Sequence, residues 1–321
     1  MVNEKLSAAM SWDEADENDG SLDERSQRIF QTSISINLRH CLVCDKIVAC
    51  LAQESSSHLR ELWLGPTFAS SRTVVSAISS LPPSLVHLDL DLRNALHLLP
   101  EVSPILCSQK QIRSLSLRLH GDSGIMELAK YIHNNPNLEH LDLRGNRIGS
   151  KGASALVDAL VGCKHGIKRL VLSCNCIVNG DMIAKLLSDE SSQLESLDLS
   201  FNWIDDKAIQ KVSQALSLKH SKLRELNLFG CQRISDVGVQ HLLQCLKCSI
   251  TTLKNVNLNA CGYRASRRIE ELETLLALNR SGRYILKCVL PSGAWPLVLA
   301  RFSGSPYVMY HFLQKNPSLI F

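Results

Sequence analysis

One short pattern limits the folds open to this 321-residue chain more than any other feature. An L-x-x-L-x-L kernel reads LRELWL at 59, LVHLDL at 85, IRSLSL at 112, LEHLDL at 138, IKRLVL at 167, LESLDL at 194, LRELNL at 223 and LKNVNL at 253. The steps between copies are 26 to 30 residues, and a degenerate copy, SISINL, puts Ile34 and Ile36 one period earlier. A period of that size predicts repeated units, each too small to bury its own apolar face, that must stack on one another.

Each copy continues in register beyond its kernel. Eight residues after the first apolar position stand Asn146, Asn175 and Asn202, then Cys231 and Cys261. Ile148, Ile177, Ile204 and Ile234 follow, and then stripes spaced by four, such as Gly152–Leu156–Leu160, Ala208–Val212–Leu216 and Gly238–Leu242–Leu246. Alternating leucines predict a short strand with its leucines turned inward, and the stripe predicts one buried helix face. The asparagine amide can satisfy backbone groups of the turn between them. At the same position the copies at 59, 85 and 112 carry Thr67, Arg93 and His120, so the N-terminal half is expected to be less regular.

These residues resemble leucine-rich repeats of the long, helix-containing, ribonuclease-inhibitor-like class. The resemblance implies an α/β horseshoe solenoid, with a parallel sheet on the concave face and helices on the convex face. About nine repeats are expected over residues 29–282, after an acidic tail at 1–28 and before a small helical C-terminal cap or docking segment at 283–321. The tail end, with its LNRSGR, WPLVLAR and FLQKNP stretches, is similar to C-terminal tails of leucine-rich-repeat proteins from diatom-type microalgae.

Composition agrees with a soluble globular chain: 45% hydrophobic, 21% charged, net charge +4. Residues 1–28 hold eight acids against three bases, which reads as a solvated leader. No apolar run reaches the ~18 residues of a membrane span, and no apolar segment follows a basic start, so neither membrane nor secretory leader is expected. No Lys/Arg stripe suggests nucleic acid. A cytoplasmic monomer is expected, with the nucleus as the alternative location.

Chemical readings fare poorly. The CLVC (41–44) and CLKC (245–248) pairs could together supply four thiolates, but seven copies separate them, about 35 Å at strand spacing. Buried free thiols are expected, with no metal and no cofactor. GDSG (121–124) falls where a strand-to-helix turn belongs, and no hydrolase elbow, phosphate loop or His-Glu-x-x-His is present. The chain is therefore expected not to be an enzyme.

What remains is the set of side chains the repeat does not use. Asp89, Asp142 and Asp198 sit between the two leucines of LDL and should project from the concave face, as should Trp63. Arg118, Arg144 and Phe229 share the next column, and His140 and Arg169 the column on the other side. Trp203 follows the turn asparagine and could instead pack on a neighbouring turn. These ten residues are the candidate partner-binding set, with Arg118 and Arg144 as an adjacent basic pair. The expected function is a protein-binding scaffold. The alternatives are a GTPase regulator of the Ran GTPase-activating type, suggested by Arg144 and Asn146 in a turn, and a ubiquitin-ligase substrate receptor docking through 284–321. An innate-immune-type sensor would need a nucleotide-binding domain that no motif here supplies.

Overall fold

A computed structural model describes residues 32–40, 42–43, 45–52, 58–161, 166–218, 220–248, 250–264 and 266–280. The expected leader at 1–28, the segment at 283–321, and Cys41 and Cys44 lie outside the described residues. Nine strands and nine α-helices alternate among the described residues. The strands are β1 (Ser35–Leu38), β2 (Glu61–Leu64), β3 (His87–Asp91), β4 (Ser114–Arg118), β5 (His140–Asp142), β6 (Arg169–Val171), β7 (Ser196–Asp198), β8 (Glu225–Asn227) and β9 (Asn255–Asn257). The helices are α1 (Asp45–Leu51), α2 (Ser71–Ser79), α3 (Leu99–Ser108), α4 (Asp122–Ala129), α5 (Ser150–Leu160), α6 (Gly180–Leu187), α7 (Asp206–Leu216), α8 (Asp236–Cys248) and α9 (Ser266–Arg280).

The chain divides into two compact units. The first runs to Ile177 and includes Ser191–Gln193; the second takes Val178–Glu190 and everything from Leu194. In the first unit β1 to β6 pair in chain order, all parallel, with Leu62, Leu88, Leu115, Leu141 and Leu170 in one register row. In the second, β7, β8 and β9 pair in the same way, with Leu197, Leu226 and Val256 in a row. A period-2 strand sends alternate side chains to opposite faces, so every kernel leucine turns into the layer beneath the sheet. The first apolar residue of each kernel, Leu59 through Leu253, is likewise buried.

A recurrent backbone device holds neighbouring copies in phase. The Arg60 carbonyl accepts from both Val86 N and His87 N, and the Val86 carbonyl accepts from Arg113 N and Ser114 N. In the second unit the Arg224 carbonyl does the same for Lys254 N and Asn255 N. Each ladder therefore begins one residue ahead of the strand, which fixes the register that the leucines alone would leave free to slip.

The turns that carry an asparagine are built as the asparagines predict. Asn175 Nδ2 donates to the carbonyls of Leu143, Leu172 and Ser173, and its Oδ1 accepts from Asn146 N and Ile148 N. Asn146 repeats this one copy earlier, on the Leu117 carbonyl and on Leu119 N and His120 N. In the second unit the thiols of Cys231 and Cys261 donate to the carbonyls of Leu199 and Leu228, at 3.3 and 3.2 Å. A cysteine thus covers one carbonyl where Asn175 covers three, while backbone hydrogen bonds from Asn202 and Ile204 also reach the Cys231 sulfur. Burial pushes the buried Cys107 thiol up to about 12 and the half-buried Cys261 thiol up to about 11, which makes both poor nucleophiles. Cys174, by contrast, is exposed and departs from the expectation of buried thiols.

Acids in the first helical turn then tie one repeat to the next. Asp122, in the GDSG stretch, accepts from Gly149 N at 2.7 Å, and a Cβ on Gly152 would come within 2.5 Å of the same carboxylate. Asp206 accepts from Ser235 N and Gly238 N in the second unit, and a Cβ on Gly238 would collide with it. Negative charge at a helix start suits the backbone dipole, so the acid serves two helix ends at once. GDSG is thereby occupied by packing. The less regular N-terminal copies differ as expected: Leu96–Leu98 form a 3-10 turn, and Val43 bridges to Phe68 where a turn asparagine is absent.

Candidate functional site

On the open face of the sheet, the residues between the kernel leucines are less available than their alternation suggests. Asp89 and Asp142 are only 6% and 7% exposed, and Ser116 and Val171 are also buried. This corrects the expectation that Asp89 and Asp142 stand ready for a partner. Strands about 4.8 Å apart crowd a short side chain between its neighbours, and arginines fold over both carboxylates. Arg39 Nη2 reaches Asp89 at 2.6 Å, and Arg144 Nη2 reaches Asp142 at 2.6 Å. Asp142 also accepts from Arg144 N at 2.9 Å.

The Arg144 geometry has a rule behind it. Asp142-Leu143-Arg144 and Asp91-Leu92-Arg93 both place an acid two residues before an arginine, on the same strand face. Both arginines turn back onto that acid: Arg93 Nη2 lies 2.6 Å from Asp91, and Arg93 Nε bonds both its oxygens. In Ser116-Leu117-Arg118 the acid is replaced by serine. The Arg118 guanidinium, half-buried, has no hydrogen-bond partner among the described residues. The basic pair expected from the sequence is thus one neutralised arginine and one spare.

The neighbouring column holds a polar ladder. His87 Nδ1 meets Ser114 Oγ at 2.7 Å, and Ser114 Oγ meets His140 Nδ1 at 3.2 Å. Trp63 leans on His87, their ring centroids 5.5 Å apart and tilted by 53°. One hydroxyl proton can serve only one of two bare ring nitrogens, so at least one of the two histidines carries its proton on Nδ1 and donates to Ser114 Oγ. Among the described residues, His140 Nε2 is buried without a hydrogen-bond partner. Burial lowers the His140 pKa from 6.5, Arg169, His87 and Arg144 lower it further, and Asp142 opposes them. The unfolded chain therefore takes up this proton first, and stability present above the ordinary value is lost as pH falls below it. The melting temperature of the wild type is expected to fall more steeply below pH 6.5 than that of His140→Gln; parallel curves would show that His140 contributes nothing to the pH dependence.

Arg169 and Arg144 are exposed at the surface of the first unit. Asn146, however, is fully buried in its turn. A GTPase-regulating role resting on an exposed Arg144 and Asn146 loses Asn146 to the turn, while Arg144 stays exposed and paired with Asp142.

The second unit carries Asp198, Trp203 and Phe229. Asp198 is half-buried and caps Ser200 N at 2.9 Å. Trp203 is 51% exposed, and Arg233 lies over its ring, Cζ 5.3 Å from the centroid. So the Trp203 ring meets a cation from the next copy's turn while half its surface stays open. Phe229 is half-buried and meets Phe201 edge-on at 5.1 Å.

Phe201 itself was missed by sequence reasoning, although its position carries a signal. The residue just before the turn Asn or Cys is Gly145, Cys174, Phe201, Gly230 or Ala260, and all five have positive φ. That left-handed region suits glycine and costs a side-chain-bearing residue about 1–2 kcal/mol. Phe201 holds it at φ 53° with its ring 53% exposed. Gly230 makes room, since a Cβ there would come within 2.8 Å of that ring. Phe201, Phe229, Trp203 and Arg233 form an aromatic ledge beside the turns of the second unit.

Among the described residues no group of three or more His, Cys, Asp or Glu could hold a metal ion. No described helix is long and apolar enough to cross a membrane.

Repeating strand–turn–helix units with leucines in register, and an Asn or Cys in the turns of the five copies from Leu138 onward, define a leucine-rich-repeat fold, an α/β architecture. A family profile described as Leucine Rich repeat matches residues 134–157, 190–213 and 219–243. Similar known proteins include NACHT, LRR and PYD domains-containing protein 5 of Mus musculus, 29% identical over 197 residues, which takes in 59% of this chain and 16% of the mouse protein. Ribonuclease inhibitor of Sus scrofa is 32% identical over 127 residues, 39% of this chain and 27% of the inhibitor. Rho GTPase-activating protein gacW of Dictyostelium discoideum is 27% identical over 206 residues, 56% of this chain and 18% of that protein. The chain thus spans about a quarter or less of the length of these relatives. Among solved structures, the leucine-rich-repeat-containing protein LegL7 from Legionella pneumophila aligns with a TM-score of 0.49 at 20% identity, covering 71% of this chain and 76% of that one.

Proposed function

We propose that the chain is a non-catalytic scaffold that binds a protein partner across the concave strand face and the adjoining turns. The observation that carries this reading is Phe201. A bulky ring in a backbone region that favours glycine weakens the fold, and the residue is 53% exposed. Strained residues of this kind persist where another role retains them. Its neighbours Trp203 and Arg233 are residue types enriched among the side chains that dominate protein–protein affinity. In the first unit Trp63, Arg118, His140, Arg144 and Arg169 supply accessible contact chemistry while Asp89 and Asp142 hold arginines in place; in the second, Phe229 does so while Asp198 holds its turn. The resemblance to ribonuclease inhibitor, a protein that inhibits another protein, supports the same class of role. Affinity capture followed by mass spectrometry, comparing wild type with the Phe201→Gly/Trp203→Ala double variant, tests the reading. Proteins retained by the wild type and lost by the folded variant are expected; identical retention would overturn the ledge as a binding surface.

A further inference from the structure

In the first unit, Arg39, His40, Asp89, Asp91, Arg93 and Arg118 line an open cavity of about 540 Å³ beside the ends of β2 to β4. Its floor is close-packed backbone: a Cβ on Gly65 would overlap the Arg39 carbonyl. The volume falls within the range of small-ligand clefts, and partly buried walls strengthen any charge interaction inside.

The charges in this cavity are unequal. Asp89 and Asp91 are buried, and a buried carboxylate requires a cation. Arg39 meets that requirement for Asp89 and Arg93 for Asp91, each at 2.6 Å. Arg118 stands opposite Asp91 in the strand register, yet the Asp91 oxygens point to Arg93 Nε and Nη2. Three guanidiniums against two carboxylates leave one positive charge, and it sits on a half-buried side chain with an open approach. On the far side, Gly145 offers no side chain; even a Cβ built there would stand 3.7 Å from Arg118 Nη1.

We propose that Arg118 is a receptor for a single carboxylate, the glutamate or aspartate side chain of an acidic segment of a protein partner. The inference rests on reading the chain as a recognition scaffold and adds the partner's chemistry. A guanidinium presents paired N–H donors that match both oxygens of a carboxylate, and the match is strong where water is partly excluded. One spare positive charge matches one carboxylate. A phosphate dianion would bring two charges against it while facing the Asp89 and Asp91 carboxylates, so a phosphorylated segment fits less well.

The test is fluorescence anisotropy of a labelled Glu-Gly repeat peptide titrated with the full chain, beside Gln-Gly and phosphoserine-Gly peptides of equal length. The Glu-Gly peptide is expected to bind and the Gln-Gly peptide not to. Arg118→Gln should weaken the Glu-Gly peptide about tenfold and Arg118→Lys, which keeps the charge but loses the paired donors, about threefold. Arg113→Gln removes the same charge from an exposed arginine paired with Glu139 outside the cavity, and should change binding less than about twofold. Equal losses in Arg113→Gln and Arg118→Gln would overturn the inference, since attraction would then follow net charge. Absence of Glu-Gly binding, or tighter Arg118-dependent binding of the phosphoserine peptide, would overturn it as well. If the peptide fails while Phe201-dependent capture persists, this inference falls and the scaffold reading stands; loss of that capture with peptide binding intact separates the two the other way.

Discussion

Replacing Asn175 by leucine is expected to destabilise the first unit by about 3–5 kcal/mol, read as a lower midpoint in urea unfolding. The side chain is 4% exposed, and it serves three carbonyls and two backbone N–H groups. Leucine keeps the branched side-chain skeleton but not the amide, so no cavity is opened and the loss is chiefly one of hydrogen bonds. Five backbone groups of the turn lose their hydrogen bond to this side chain in a place water reaches poorly, although the Ser173 carbonyl keeps Gly145 N. Each unsatisfied group costs about 1–3 kcal/mol, and partial relaxation of the turn keeps the total below the simple sum. Asn175→Cys should cost roughly half as much, because Cys231 and Cys261 show that a thiol at this position still reaches a carbonyl. A leucine variant as stable as the wild type would remove the turn asparagine from the account of the fold.

The second large effect is on binding. Phe201→Gly with Trp203→Ala is expected to weaken the captured partner by at least about 2 kcal/mol, roughly thirtyfold in Kd. The same variant should change stability by less than about 1 kcal/mol. The reason is a near cancellation. Glycine relieves the left-handed backbone at position 201, while the edge contact with Phe229 is lost. A residue whose removal leaves folding intact but abolishes binding is held by its partner. Calorimetry of both proteins with the partner separates the two effects; a variant that loses stability and binding together would return Phe201 to a structural role.

The repeat was legible because every copy restates it. Leu62, Leu88, Leu115, Leu141 and Leu170 fall in one register row as their spacing predicts, and Cys231 takes over from asparagine at the predicted position. What a period cannot convey is depth. Asp89 and Asp142 do project from the open face, but neighbouring strands and arginines bury them. Arg39 lies in the degenerate first copy, fifty residues before its partner Asp89, and no local pattern joins them. The difference between Arg118 and Arg144 was written in the chain two residues earlier, as Ser116 against Asp142. It becomes readable only once both are seen to share a strand face. Phe201 was hidden because the sign of φ is invisible in a single residue. The signal lay across copies, where glycine or a small residue otherwise stands.

Amide hydrogen exchange of the chain with and without its captured partner tests the central claim most directly. Binding across the strand face and turns predicts slowed exchange at backbone amides of the turns around Phe201–Trp203 and Phe229–Arg233, with helix α7 unchanged. Protection confined to α7 and α8, with those turns exchanging as in the free protein, would contradict it.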